Sequence, residues 1–224
     1  MINFSLLITR KDLRISLLHG NGTIQAILLG LLLIFLFDLS KNPGETASAQ
    51  EASTIFWLSS IFCQLLIFNQ LYAIEENNET RVALMLVPAP AQAVWLGKAC
   101  AAFIILCIAQ MFFLPAIIIF LGQNFSGDIS QAIFNLVLVN IGICALGSLL
   151  GAIGQGKNGK DSILTIIIFP LLVPLLMAAI KSGSSAFGEN VEDAMNWTGI
   201  TAAFDAIFLS AGLLLFNFLY QGDE

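Results

Sequence analysis

The chain has 224 residues, of which 58% are hydrophobic and 11% charged, and its formal net charge is −6. An ordinary soluble domain carries roughly 45–50% apolar and about 25% charged residues, so this chain is too poor in charge to cover a globule in water. Bilayer lipid is the solvent it suits, and the negative balance excludes a nucleic-acid binder, which needs a basic footprint.

In chain order, the first element is a short interfacial N-terminal helix. Phe4, Leu7, Ile8, Ile15 and Leu18 fall near one face at helical spacing, while Arg10 and Arg14 share another. That pattern suits a helix lying in the headgroup plane, although a plain extension of the first span fits the same residues. Charge-poor runs then predict transmembrane helices over approximately 20–38, 52–74, 97–121, 129–153, 162–180 and 199–220. Each approaches or exceeds the ~20 residues needed to cross ~30 Å of hydrocarbon. Barrel strands would be half as long and would alternate polar with apolar. The expected fold is all-α, one integral membrane domain over residues 1–224 with six spans.

Orientation follows from the basic residues. With the N-terminus cytoplasmic, inner segments hold Arg10, Lys11, Arg14, Arg81, Lys98, Lys157 and Lys160, and outer loops only Lys41 and Lys181. This positive-inside bias puts both termini in the cytoplasm. The first apolar stretch lacks a small-residue cleavage site and reads as a span, not a signal peptide. Trp57, Trp95, Trp197 and Tyr72 fall near span ends, where amphipathic rings favour the interface.

Little here supports chemistry. His19 is the only histidine, so no triad, zinc site or bis-histidine haem site is expected. Cys63, Cys100, Cys107 and Cys144 lie in apolar stretches without C-x-x-C spacing and read as small core residues. The run Gly151 to Asn158 fits G-x-x-x-x-G-K, but Asn158 stands where a phosphate-binding loop needs Ser or Thr. It also follows a membrane span, so it reads as a cytoplasmic turn. No catalytic residue, metal or bound cofactor is expected in this chain, and ATP-driven work would have to come from a partner.

The informative stretch joins spans two and three. Glu75, Glu76 and Glu79 suit a helix N-terminus, where the macrodipole favours negative charge, and Thr80 suits a cap. Val82, Leu84, Met85 and Leu86 make an apolar run that Pro88 stops, and Pro90, then Gly97-Lys98, lead into span three. A short cytoplasmic helix with a proline-stiffened return is expected. It is the one inner loop with the length and mixed surface to dock a soluble partner.

Further along, Gly147 and Gly151 form a G-x-x-x-G suited to close helix contact, or one arising by chance in a glycine-containing run. Pro170 and Pro174 interrupt the fifth span, as a hinge or as a packing irregularity. Asp205 is the one charged residue well inside a span and costs a few kcal/mol if it faces lipid unpaired. Partner contact, shallow solvation and a transport or proton role are the three readings of it.

Together these features resemble a known family. The acidic helix end, the short amphipathic helix, L-x-x-P-x-P and G-K look like the coupling loop of type-2 ABC transporter permeases. More narrowly, nearly the whole chain resembles the haem exporter B subunit of cytochrome c maturation, the CcmB family. The resemblance is most specific in Leu84-Met-Leu-Val-Pro88-Ala-Pro90 with Gly97-Lys98, and in Phe169-Pro170-Leu-Leu-Val-Pro174-Leu-Leu, with Lys11-Asp-Leu-Arg14 as a weaker third match. The family's F-x-x-D maps onto Tyr72-Ala-Ile-Glu75, a conservative change at both ends, and Glu79 stands where glycine is common.

The resemblance implies an ABC-2-type permease subunit of the CcmABCD complex, multi-pass in a bacterial cell inner membrane. It would bind the CcmA ATPase, work beside CcmC and CcmD, and couple ATP hydrolysis to release of haem-loaded CcmE. ATP would be bound by CcmA and haem handled by the other subunits. ATPase coupling would fall on Tyr72, Glu75, Glu76, Glu79, Arg81, Leu84, Pro88, Pro90 and Lys98. Six spans are half the usual permease core, so pairing with a second copy or with CcmC is expected. The alternatives are a permease for another hydrophobic substrate and a non-transporting membrane scaffold.

Overall fold

A computed structural model describes residues 1–18, 21–42, 44–77, 90–153, 161–189 and 194–221, with the backbone alone at 74–77, 153, 161–169, 171, 194 and 217–221. Regular structure among these residues is helical: α1 (Ile2–Leu18), α2 (Asn21–Leu39), α3 (Ala49–Asn77), α4 (Ala91–Phe120), α5 (Ile129–Ile153), α6 (Asp161–Ser184), a 3-10 turn (Ser185–Phe187) and α7 (Ala194–Gln221). Every charge-poor run therefore becomes a helix. Over the described residues, five are long and apolar enough to cross a membrane: α2, α3, α4, α5 and α7. The expectation of a sixth crossing rests on α6, whose 24 residues would reach about 36 Å at ~1.5 Å per residue.

Local chemistry sets the helix starts. Ser48 and Glu51 form a reciprocal capping box: the Glu51 N–H donates to Ser48 Oγ at 3.2 Å, and the Ser48 N–H donates to Glu51 Oε2 at 2.7 Å. That box opens α3 at Ala49, ahead of the expected 52. Asp128 caps α5 by accepting the Ser130 N–H at 2.9 Å. Pro90, at φ −65° and ψ 137°, stands immediately before α4. The helix therefore opens at Ala91, ahead of the expected span start at 97, and Gly97-Lys98 lies about two turns inside it.

Packing then sorts the helices by depth. α3 and α5 form the interior, with 67% and 61% of their span residues buried, against 22% for α2 and 28% for α7. α2 lies on α3 and α4, α7 on α4, α5 and α6, and α1 along α4. Leu28, Leu32 and Leu36 of α2 and Ile207 and Leu214 of α7 point outward, as lipid-facing residues must. Trp57, Trp95 and Tyr72, expected near the interface, are buried between helices of the bundle, and Trp197 is half-buried. Their rings fill space left by glycines, as Trp95 does against Gly212 of α7.

Candidate functional site

The site is a buried polar joint at the end of the bundle that carries the loop between α3 and α4. It begins with α1, whose packing face is mostly polar. Ser5, Thr9, Asp12 and Ser16 recur about once per turn and are buried with Ile8, whereas Leu6, Leu7, Leu17 and Leu18 are exposed. Of Phe4, Leu7, Ile8, Ile15 and Leu18, the apolar face expected of a helix in the headgroup plane, only Ile8 is fully buried. Where the surroundings are hydrocarbon, an apolar stripe belongs outside and the polar stripe must find protein.

Thr9 Oγ1 donates to the Gly97 carbonyl of α4 at 3.0 Å. A methyl group on Gly97 would stand 2.8 Å from Ile8 Cβ and 2.9 Å from the Ser5 carbonyl, so glycine sets how closely α1 approaches. The next residue, Lys98, has no exposed surface. Its ammonium lies 3.8 Å from Asp12 Oδ2, donates to the Leu71 carbonyl at 3.1 Å, and sits 4.4 Å from the centroid of the Tyr72 ring. The first distance permits ion pairing but is too long for a hydrogen bond. Asp12 Oδ1 takes a second cation, Lys11, at 3.0 Å. Carboxylate, carbonyl and ring face together compensate a charge that would otherwise be prohibitive inside the bundle.

The Tyr72 hydroxyl carries the joint into α5, donating to the Ser148 carbonyl at 2.7 Å beside Ser148 Oγ at 3.0 Å. Ser148 Oγ in turn donates to the Trp95 carbonyl at 3.4 Å. Gly151 underlies the Tyr72 ring and Gly147 the Phe68 ring, and a methyl at either would overlap the ring. The joint therefore binds α1, α3, α4 and α5 into one unit beneath the loop.

The residues expected to couple the ATPase divide among three places. Tyr72 and Lys98 are internal to the joint and offer no surface to a soluble partner, whereas Pro90 is exposed at its edge. Glu75 and Glu76 fall in the last turn of α3, at the C-terminal end of a helix and not at the start of the next one. Glu79, Arg81, Leu84 and Pro88, with the expected short coupling helix, lie outside the described residues, as does the turn at 154–160. Thr9, Asp12, Trp95 and Ser148 were not foreseen. Their one legible signal is the spacing of Ser5, Thr9, Asp12 and Ser16, a polar stripe at helical period.

Elsewhere, Pro170 is exposed and Pro174 half-buried, both within an α6 that continues past them, and Pro115 is a third proline inside a helix, in α4. Asp205 is only 4% exposed, so shallow solvation does not describe it. Its carboxylate presses on Gly142 of α5, and neither oxygen has a hydrogen-bond partner among the described residues. Near mid-bundle, Gln110 and Asn140 exchange amide hydrogen bonds at 2.9 and 2.7 Å, and Gln110 also donates to Ser60 at 3.2 Å.

Comparison with known proteins adds independent findings. The profile of a family described as CcmB protein matches residues 2–218. A curated protein of Escherichia coli strain K12, Heme exporter protein B, is 31% identical over 91 residues, which is 41% of each chain. The protein of the same name from Haemophilus influenzae is 24% identical over 186 residues, 82% of each chain. The first of these matches spans about two fifths of the relative's length, the second about four fifths.

Proposed function

Because the chain belongs to the CcmB family, we propose that it is the permease-like, multi-pass subunit of a haem-export machine serving c-type cytochrome biogenesis. It works in the bacterial inner membrane and is not catalytic alone. A separate ATPase of the CcmA kind supplies the energy, CcmC and CcmD accompany it, and the cycle releases haem-loaded CcmE. The observation that carries this reading is the family match over residues 2–218.

Two physical features support docking at the loop between α3 and α4. The joint holds both ends of that loop on one rigid assembly, so a push delivered there moves α1, α3, α4 and α5 together. Glu75 and Glu76 lie at a helix C-terminus, where the macrodipole disfavours each carboxylate by ~0.3–1 kcal/mol. A basic surface on a partner would relieve that.

Replacing both glutamates (Glu75→Lys with Glu76→Lys) is expected to release the ATPase from membranes and to lower haem attachment to c-type cytochromes more than about tenfold, one decade per ~1.4 kcal/mol lost. Co-fractionation and haem staining read the two effects. An ATPase that stays bound would remove this loop from the interface. Normal c-type cytochromes in a strain lacking the chain would redirect the reading to another hydrophobic substrate.

A further inference from the structure

At the end of the bundle opposite the joint, a cavity of about 80 Å³ lies between α3, α4, α5, α6 and the 3-10 turn. Among the described residues its lining holds no charged side chain. Two of the lining residues, Trp57 and Asn135, are each 3% exposed, and neither Trp57 Nε1 nor Asn135 Nδ2 has a hydrogen-bond partner among the described residues. The other polar groups there are engaged. Asn135 Oδ1 accepts from Thr198 Oγ1 at 2.7 Å, Ser53 Oγ donates to the Ile180 carbonyl at 2.9 Å, and Ser182 Oγ donates to the Ala179 carbonyl at 3.3 Å. The unmet groups are thus the Trp57 and Asn135 N–H donors, while the serine hydroxyl oxygens keep lone pairs free.

Gly183 packs closely against Ser53 and Trp57, since a methyl there would come 2.5 Å from Ser53 Oγ and 2.8 Å from Trp57 Nε1. Phe125 and Ile133 line the cavity yet are 40% and 58% exposed, so it opens sideways past apolar rims. The missing partner is therefore an acceptor. An ionised one is disfavoured, because no cation among the described residues lines the site and a buried charge needs one. Water meets the donors too, but leaves the exposed apolar rims at Phe125 and Ile133 uncovered. A neutral carbonyl with hydrocarbon on either side meets both demands.

From this geometry we propose that the cavity holds the acyl-ester carbonyl of a membrane lipid, with the carbonyl accepting from Trp57 and Asn135 and the acyl chain leaving between Phe125 and Ile133. Trp57 lies about two turns into α3 and Asn135 about two turns into α5, so both stand toward the same end of the bundle.

The test compares an ester-linked phosphatidylethanolamine with its ether-linked analogue of equal chain length, which lacks the carbonyl. The full chain, purified from membranes with its accompanying subunits, is washed in detergent, and retained lipid is read by native mass spectrometry. The ester lipid is expected to be retained in preference, by about five-fold for each hydrogen bond made. Trp57→Phe keeps an aromatic ring but removes one donor, and Asn135→Leu removes the other. Each is expected to lower the ester preference about five-fold while leaving ether-lipid retention unchanged. Equal retention of the two lipids by the unaltered chain, the result also given by a cavity that holds only water, overturns the proposal. So does an ester preference that survives both substitutions. The unaltered chain supplies the decisive comparison even if a variant fails to fold.

Discussion

Lys98 makes the strongest demand of any residue on its surroundings, because a fully buried ammonium must be compensated at every donor. Removing one partner of such a pair costs ~3–5 kcal/mol, whereas removing both together leaves no orphaned charge. Lys98→Met and Asp12→Leu are each expected to destabilise the detergent-solubilised protein by about that amount. The double substitution should cost much less than the sum, as measured by thermal unfolding in a double-mutant cycle. Additive losses would mean that the 3.8 Å pair carries no coupling. The lysine was legible as a charge near the start of a span, but its direction was not. A helix start displaced from 97 to Ala91 leaves the residue about two turns inside α4, among its neighbours. Asp12 was legible in a different way, through the period of Ser5, Thr9, Asp12 and Ser16. It was passed over because α1 was read for its apolar face and its arginines, whereas in lipid the polar stripe is the one that packs on protein.

At the scale of the helix, sequence signals worked where they were local. Ser48 and Glu51 form a capping box that fixes the start of α3, and the S-x-x-E spacing was there to be read. The end of α3 was not legible, because Glu75 and Glu76 are good helix formers that suit a helix C-terminus poorly, and only the continuing fold decides between the two. Non-local pairings were likewise invisible: nothing in the spacing of Gln110 and Asn140 says that they meet. Their reciprocal amides tie α4 to α5 where no water competes. Gln110→Leu is expected to cost ~1–2 kcal/mol, since it leaves the Asn140 amide unsatisfied, and adding Asn140→Leu should recover part of that loss. Unfolding of the two variants in detergent micelles measures it. A double variant less stable than Gln110→Leu would assign the effect to packing volume.

For the molecule as a whole, composition and charge-poor runs revealed an all-helical membrane protein, because lipid imposes length and apolarity on every crossing helix. The crossing number rests on the same runs and the direction on a weaker signal, the bias of basic residues, and both bear on the proposed function. A soluble ATPase reaches the loop between α3 and α4 only if that loop is cytoplasmic. Single cysteines in a chain whose four native cysteines are replaced by alanine test both points with a membrane-impermeant maleimide. Gly44→Cys and Glu189→Cys are expected to label in intact spheroplasts, and Thr80→Cys and Gln221→Cys only after the membrane is opened. Glu189 decides the count, since it follows α6: if α6 fails to cross, this position is shielded along with Thr80. Thr80 decides the direction. Labelling there from outside would put the acidic end of α3 beyond the reach of any cytoplasmic engine, and the proposed coupling would fall with it.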